Sequence, residues 1–232
     1  MKLDNATVLI TGANRGIGLA FARAALERGA RKVYAGSRDP SKVELPGVEA
    51  VQLDVTDDAC VAAAAERCGD TTLVINNAGI AMLGGGLGED GMATAHAQME
   101  VNFFGVLRMV RAFAPVLARN GGGGMVNVLS IASWINAPTL GLYGATKSAA
   151  WNLTNSLRID LREQGTQVLA MHMGYVDTDM TRGFEVQKSP PELIVARTLD
   201  ALEAGAEEVL ADEITQGVKR GLSAEPGVYL AR

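Results

Sequence analysis

The 232-residue chain contains few of the residues that build metal and redox sites. It has two histidines and two cysteines, and Cys60 and Cys68 are eight positions apart, a spacing typical of neither a metal site nor a redox pair. We therefore expect no bound metal, two free thiols in a reducing cytoplasm, and His172 as a core residue of a strand. The net charge of −5 and the scattered Lys and Arg residues argue against a nucleic-acid partner.

Long apolar stretches are also missing. No uninterrupted apolar run approaches the ~20 residues of a membrane-spanning helix, so no membrane association is expected. Residues 1–5 lead directly into a predicted strand, so no signal peptide is expected either. With 48% hydrophobic and 20% charged residues, the composition suits one globular domain over residues 1–232.

Apolar runs of strand length alternate with helical patterns along the chain. The strand candidates are residues 7–11, 32–36, 48–53, 73–76, 125–129, 168–173 and 208–211. The helix candidates are residues 16–28, 57–67, 92–119, 141–162 and 191–204. This alternation predicts an α/β fold with a doubly wound, mostly parallel seven-stranded sheet flanked by helices. Ligands are then expected at the carboxyl ends of the strands.

The stretch from residue 126 to residue 147 carries the most informative chemistry. A buried strand stops at Ser130, and the helix that opens at Gly141 carries Tyr143 and Lys147 on one face. A free phenol has a pKa of ~10, but a neighbouring ammonium would lower that pKa. Tyr143 would then exchange a proton with an alcohol or carbonyl oxygen, to which Ser130 could also hydrogen-bond. Taken alone, such a Tyr-Lys pair is more often a packed ring beside a solvated amine.

A glycine-rich loop joins the first predicted strand to the first predicted helix. It reads Thr11-Gly12-Ala13-Asn14-Arg15-Gly16-Ile17-Gly18. Glycine permits a tight turn and lets the backbone approach a pyrophosphate. The helix start offers free N–H groups and the positive end of a dipole. The loop therefore predicts a nucleotide-phosphate site.

Several motifs together resemble the short-chain dehydrogenase/reductase family. They are TGANRGIG, Asp54 after the third strand, Asn76-Asn77-Ala78-Gly79 after the fourth, Asn102, Ser130 and Tyr143-Gly-Ala-Thr-Lys147. Their order and spacing resemble the one-domain branch, of the NADP(H)-preferring carbonyl reductase type, over residues 6 to about 211. The resemblance implies one Rossmann domain that transfers hydride from a nicotinamide to a ketone or aldehyde and, reversibly, from an alcohol.

The resemblance also implies roles for four catalytic residues. Tyr143 would be the proton donor in reduction, Lys147 would hold the nicotinamide ribose and lower the Tyr143 pKa, and Ser130 would position the substrate oxygen. Asn102 would hold a water that links Lys147 to solvent. A plain buried hydrogen bond would explain this mid-helix asparagine equally well. Ser133 does not fit the family spacing and is expected to make a loop hydrogen bond.

By resemblance, eighteen residues bind the cofactor. They are Gly12, Asn14, Arg15, Gly16, Ile17, Gly18, Ser37, Arg38, Asp54, Val55, Asn76, Ala78, Gly79, Tyr143, Lys147, Gly174, Val176 and Thr178. In NAD-binding relatives an acidic residue ends the second strand, whereas here Gly36 is followed by Ser37 and Arg38. Arg15 and Arg38 would bind a 2′-phosphate, so we expect NADP(H). If Asp39 held the ribose hydroxyls instead, the cofactor would be NADH.

The substrate side is predicted from the segment after the sixth strand. Met173 replaces a proline that the family usually has there, which makes the expected contact of Val176 and Thr178 with the nicotinamide carboxamide less restrained. The segment up to Ser189 is short for a lid, so we expect an open apolar cleft for bulky or aromatic ketones. Its walls would be Trp134, Ile135, Leu140, Leu142, Tyr175, Met180 and Phe184. Plain packing would explain each of these side chains as well.

Two other functions are compatible with the same motifs. An acyl-carrier-type 3-oxoacyl ketoreductase would use the same chemistry, although no distinct basic patch is present to dock an acidic carrier. A non-catalytic NADP(H)-sensing module would not need Tyr143 as a proton donor. By analogy with relatives, a homodimer or homotetramer is expected.

Overall fold

A computed structural model describes residues 1–230 of the chain. Seven strands form one sheet in the order β3-β2-β1-β4-β5-β6-β7, and every neighbouring pair is parallel. They are β1 (Thr7–Thr11), β2 (Lys32–Ser37), β3 (Glu49–Gln52), β4 (Leu73–Asn76), β5 (Gly124–Val128), β6 (Gln167–His172) and β7 (Glu208–Leu210). The predicted doubly wound fold is confirmed, and β2 extends one residue further than predicted, to Ser37.

The helices lie on both faces of the sheet. They are α1 (Gly16–Glu27), α2 (Asp58–Arg67), α3 (Gly91–Met99), α4 (Gly105–Arg119), α5 (Gly141–Asp160), α6 (Pro191–Glu203) and α7 (Glu213–Gly221). The sequence analysis missed α7, which is nine residues long and begins where the Asp212 side chain accepts the Thr215 N–H. The other predicted helices are found within two residues of their expected ends.

Both faces of the sheet are buried, which explains the continuous apolar strands. In β1, Val8 belongs to the core cluster that includes Phe21 of α1, whereas the next residue, Leu9, belongs to the cluster that includes Phe113 of α4. Both phenylalanine side chains are fully buried. Truncating either to alanine would cost ~3–5 kcal/mol of stability, because the space it leaves cannot fill completely.

The predicted helix 92–119 contains a turn of different geometry. Residues Glu100–Phe104 form a π-helical turn between α3 and α4, and this turn carries the buried Asn102. A π turn widens the helix locally and is frequent at functional sites. The 3.6-residue periodicity did not reveal it.

The continuous helix from Gly91 to Arg119 is long and apolar enough to cross a membrane by length and composition alone. Its apolar stripe, with Phe113 and Leu117 fully buried, packs into the core. Arg108 on the same helix pairs with Asp58 at 2.9 Å and with Glu100 at 2.7 Å. These contacts are typical of a core helix with one solvated side.

The strand order indicates the edge of the sheet at which a ligand is expected to bind. From β1 the chain winds outward through β2 to β3, then returns to β4 on the other side of β1. Ligands of such sheets bind where the winding direction changes, outside the carboxyl ends of the strands. The glycine loop and the residues after β4, β5 and β6 all follow carboxyl ends in this region.

Candidate active site

Tyr143 and Lys147 lie on the same face of α5. The Lys147 ammonium is 5.8 Å from the centre of the Tyr143 ring and is almost fully buried. It donates to the carbonyl of Val128, at the end of β5, over 2.8 Å. A Cβ added to Gly79 would lie 3.7 Å from that ammonium, so the loop after β4 passes close to the Lys147 side chain.

The expected lowering of the Tyr143 pKa is not found. Burial raises the pKa of Tyr143 to about 12, and the hydrogen bond to Ser130 offsets only part of that rise. Burial also lowers the pKa of Lys147 to about 8. The physical reason is common to both, because a site shielded from water penalises the phenolate and the ammonium alike. The lysine charge is compensated by the Val128 carbonyl.

Ser130 meets Tyr143 across the loop between β5 and α5. Its hydroxyl lies close enough to Tyr143 to lower the pKa of the phenol, and its oxygen accepts the Ala132 N–H at 3.1 Å. Ser133 has a different task, since its hydroxyl donates to the Lys147 carbonyl at 3.1 Å. The structure therefore brings Ser130, rather than Ser133, to the phenol.

Asn102 fastens the segment after β4 to α5. Its Oδ1 accepts the Ile80 N–H at 2.9 Å, and its Nδ2 donates to the Ile80 carbonyl and to Thr146 Oγ1 at 2.9 and 3.0 Å. One helical turn earlier, Gln98 Oε1 accepts the Met82 N–H at 2.9 Å. These contacts match the alternative of a buried hydrogen bond, and the water-holding role stays a prediction. Gln98 was missed because its long-range partner leaves no local sequence signal.

The glycine loop is built for a close approach of backbone. Gly12 and Gly16 have φ of 66° and 55°, and a Cβ on Gly18 would lie 2.2 Å from the Gly12 carbonyl oxygen. The first turn of α1 has no acidic residue, and no side chain among residues 1–230 caps it. Its N–H groups are thus available to an anion, which fits a dinucleotide phosphate. Asn14 and Ile17 are partly exposed within this loop.

Two residues outside the predicted set hold the glycine loop in place. Thr11 Oγ1 accepts the N–H groups of Asn77 and Ala78 at 2.9 and 2.8 Å. The Asn77 side chain donates to the carbonyls of Thr11 and Gly12 at 2.9 and 3.2 Å. The loop after β4 therefore fixes the shape of the loop after β1.

The two arginines expected at a 2′-phosphate have different surroundings. Arg15 pairs with Asp179 at 3.1 Å, on the segment after β6, and both side chains are exposed. Arg38 is exposed. Burial raises the pKa of Asp54, but hydrogen bonds from Thr56 and the nearby Arg38 charge lower it by more. Arg15 is thus engaged with an acidic residue, whereas Arg38 lies beside the predicted adenosine site at Asp54.

The acid nearest the end of β2 is already engaged. Asp39 accepts from the backbone N–H and the hydroxyl of Ser41 at 3.1 and 2.6 Å and pairs with Lys42 at 3.5 Å. The hydrogen bond from Ser41 lowers the pKa of Asp39. Ser37 is buried, and its hydroxyl donates to the Asp39 carbonyl. Asp39 therefore caps its own turn.

Two predicted cofactor residues turn their side chains into the core. Val55 is buried, and its methyl group would be 2.8 Å from a Cβ on Gly105. The Asn76 amide is buried and donates to Asn127 Oδ1 at 2.8 Å. Both side chains serve the packing of the sheet, so any contact of these two residues with a dinucleotide would come from their backbone, and the contact stays a prediction. Asp54 remains partly exposed, with Oδ1 bound by Thr56.

The segment after β6 is held by side chains that the sequence analysis did not select. The Gly174 N–H donates to Asp212 Oδ2 at 2.6 Å, and Thr181 interacts with Thr178 in a reciprocal cap. Val176 is buried with its side chain in the core. Val176 could therefore contact a cofactor through its backbone rather than its side chain.

The predicted substrate wall is only partly assembled. The rings of Tyr175 and Phe184 are 5.2 Å apart, and Tyr175 is near enough to Tyr143 to contribute to its raised pKa. Met180 is 47% exposed, Leu142 is partly exposed, and Leu140 is buried.

Trp134 packs against other aromatic rings near this wall. Its ring stacks on His172 at 4.0 Å and meets Trp151 edge-on at 6.0 Å, while the Lys219 ammonium lies 4.7 Å from its centre. The residue stays partly exposed, so its place in a substrate wall remains a prediction.

Known proteins share this sequence and architecture. The sequence profile of the short chain dehydrogenase family matches residues 6–189. A sorbitol dehydrogenase of Cereibacter sphaeroides is 34% identical over 197 residues, which is 81% of this chain and 77% of the relative. A galactitol 2-dehydrogenase (L-tagatose-forming) of the same organism is 37% identical over 191 residues, 78% of this chain and 75% of the relative.

A solved structure extends the similarity to almost the whole chain. A short chain dehydrogenase from Burkholderia cenocepacia J2315, determined in complex with NADP, superposes with a TM-score of 0.93 and 39% sequence identity. The match covers 97% of this chain and 96% of that one. With its parallel sheet, its glycine loop and its Ser-Tyr-Lys arrangement, the chain belongs to the short-chain dehydrogenase/reductase family of oxidoreductases.

Proposed function

We propose that the protein is an NADPH-dependent oxidoreductase that reduces a ketone or aldehyde to the alcohol, reversibly. The observation that carries the proposal is the meeting of Ser130, Tyr143 and Lys147 at the carboxyl end of β5. A hydroxyl, a phenol and an ammonium at one point supply a hydrogen-bond donor, a proton and a positive charge. Reduction of a carbonyl needs all three at the developing alkoxide.

NADPH is the proposed cofactor, and it supplies the hydride when bound. The uncapped N-terminus of α1 suits its diphosphate. The contacts of Asp39 with Ser41 and Lys42 compete with its binding of the ribose hydroxyls of NADH. The exposed Arg38 is left to bind a 2′-phosphate. The similar Burkholderia enzyme was determined with NADP.

The proposed role of each polar side chain follows from where it holds its proton. Ser130 accepts the Ala132 N–H, so its own hydroxyl proton is directed to the phenol and to a substrate oxygen placed there. Tyr143, with a pKa of about 12, keeps its proton at neutral pH until the substrate oxygen gains negative charge. Lys147 stabilises the phenolate as the proton leaves.

The proposed substrate class is a bulky or aromatic ketone. Tyr175, Phe184 and the exposed Met180 offer apolar surface close to Tyr143. A second candidate is polyol oxidation, which the similarity to sorbitol and galactitol dehydrogenases favours. A polyol would need several hydrogen-bonding groups in the wall, whereas Phe184 and Met180 provide none and Tyr175 provides one hydroxyl.

Turnover of a substrate panel and one substitution test the chemistry. NADPH consumption should be fastest with aryl ketones and slower with 3-oxoacyl thioesters, and NADP⁺ reduction should be slow with hexitols.

Tyr143→Phe should lower kcat by at least ~100-fold while the Kd for NADPH stays the same, because only the proton donor is lost. Tyr175→Phe is the matched control and should keep most activity. Near wild-type turnover by Tyr143→Phe would overturn the proposal.

The cofactor is tested separately. The ratio of kcat/KM with NADPH to that with NADH should exceed one, and Arg38→Ala should lower the ratio. A wild-type preference for NADH would show that the 2′-phosphate is not selected.

A further inference from the structure

His172 is a fully buried histidine that has no part in the proposed reaction. It ends β6, and its Nδ1 lies 3.2 Å from the carbonyl oxygen of Ser130. The sequence analysis expected it to be an ordinary core residue. Its position directly behind the serine of the active site points to a more specific task.

The tautomer of His172 follows from its neighbours. A carbonyl oxygen at 3.2 Å requires an N–H on Nδ1, whereas Nε2 is 3.8 Å from Glu208 Oε1 and makes no hydrogen bond within residues 1–230. That carboxylate oxygen is bound by the Lys219 ammonium at 2.9 Å. Burial lowers the pKa of His172 to about 4, so the ring is neutral and carries one N–H.

His172 contacts both ends of the turn that presents Ser130. Residues Ile131–Ser133 form a single 3₁₀ turn, capped at its start by Ser130 and followed by Trp134. The imidazole donates to the Ser130 carbonyl and stacks on the Trp134 ring at 4.0 Å with 25° between the planes. The turn is therefore fixed at both ends by one rigid ring.

We propose that His172 is a positioning residue that acts through Ser130, keeping the serine hydroxyl directed at Tyr143. This inference rests on the proposed role of Ser130. The hydroxyl oxygen is held by Ala132, inside the same turn, so a rotation of the turn would move the hydroxyl and its anchor together. A misplacement of 1 Å in an active site can cost ~100-fold in rate, and the loss of one outer contact should cost less.

Three substitutions and a double mutant test the coupling. His172→Phe keeps a stacking ring but loses the N–H, and should lower kcat about tenfold with the KM for NADPH unchanged. His172→Asn offers an amide N–H to the same carbonyl and should recover most of the rate. In a Ser130→Ala background, His172→Phe should have almost no further effect on the residual rate. Trp151→Phe, in the same aromatic cluster, should stay within about twofold of wild type.

A purely structural role would give the opposite pattern. His172→Phe would then lower the rate by the same factor in both backgrounds, and His172→Asn would be no better than His172→Phe. If Ser130→Ala alone leaves kcat unchanged, the proposed role of Ser130 fails and that of His172 fails with it, whereas a large effect of Ser130→Ala with none of His172→Phe overturns the role of His172 alone.

A measurement on the unmodified protein covers the case in which a variant does not fold. The ¹⁵N NMR shifts of the His172 ring should report a neutral Nδ1–H tautomer at pH 7. An Nε2–H tautomer or a protonated ring would overturn the inference.

Discussion

At Tyr143 and Lys147, burial dominates the pKa of both side chains. Their four-residue spacing correctly predicted one helix face, yet the pKa of Tyr143 is raised to about 12 and that of Lys147 is lowered to about 8. Burial is the largest cause in both cases. The pair therefore meets a substrate as a protonated phenol beside a lysine that still carries its charge at neutral pH.

The lowered pKa of Lys147 predicts how stability changes with pH. Below pH 8 both the folded and the unfolded chain hold the proton, and the fold bears the full cost of burying the charge. Between pH 8 and 10.5 the folded chain loses this proton first, so stability rises with pH. Lys147→Met should remove this rise, which is at most ~3 kcal/mol. Urea unfolding of both proteins across this range measures it, and a constant difference between them would contradict the prediction.

At the scale of elements, the loop after β1 depends on one close contact. Gly18 lies so near the Gly12 carbonyl that any Cβ would collide with it at 2.2 Å. The flexible end of a side chain could move aside, but this neighbour is backbone. The phosphate loop and the start of α1 therefore keep their shape only with glycine at this position.

Gly18→Ala should accordingly destabilise the protein by ~1–3 kcal/mol and weaken NADPH binding. The matched control is Gly217→Ala in α7, where an added Cβ meets no atom within 4 Å. That change should instead stabilise by ~0.5–1 kcal/mol, because alanine favours the helix. Urea denaturation measures the free energy of unfolding of both variants. Equal changes in the two would show that the contact between Gly18 and the Gly12 carbonyl does not control stability.

A second link between elements joins the glycine loop to the segment after β6. Arg15 and Asp179 are separated by 164 residues in the chain and form an ion pair across this space. The pair holds the guanidinium that the sequence analysis assigned to a 2′-phosphate. Asp179 and a cofactor phosphate would therefore compete for Arg15.

Asp179→Asn should strengthen NADPH binding by up to about fivefold and change NADH binding less, since an exposed ion pair contributes ~0.2–1 kcal/mol. Fluorescence titration of both cofactors measures the two Kd values. Asp177→Asn, which removes an exposed carboxylate two residues earlier, is the control. Weaker NADPH binding by Asp179→Asn would mean that the ion pair supports the site instead.

At the scale of the whole molecule, one sheet connects every part of the site. The functional groups follow the carboxyl ends of β1, β2, β4, β5 and β6, so they depend on a single set of strand pairings. We therefore propose a single folding domain, for which calorimetric and van't Hoff enthalpies of unfolding agree.

Several large apolar side chains remain exposed, among them Met92, Phe104, Leu193 and Ile214. Burial of such residues between copies would stabilise an assembly. We expect a homodimer or homotetramer, with a mass by light scattering of two or four times that of the chain. A monomer over the whole accessible concentration range would contradict this.

Part of the fold and of the site was predictable because it depends on local pattern. Strand-length apolar runs predicted the sheet, and the glycine spacing and the Tyr-Lys spacing predicted which side chains meet at one edge. The π turn at Asn102 was missed because one extra residue in a turn does not show in a 3.6-residue periodicity. The helix α7 was missed because it is only nine residues long, too short to stand out from the polar end of the chain.

The order of strands and helices, the family and the residues at the carboxyl edge of the sheet could be predicted from the amino-acid sequence, because alternation and spacing are properties of neighbouring residues. The sign of the Tyr143 pKa shift, the partner of Arg15 and the stacking of Trp134 on His172 emerged only from three-dimensional packing. Each of these depends on groups far apart in the chain, and on how much water is excluded where they meet.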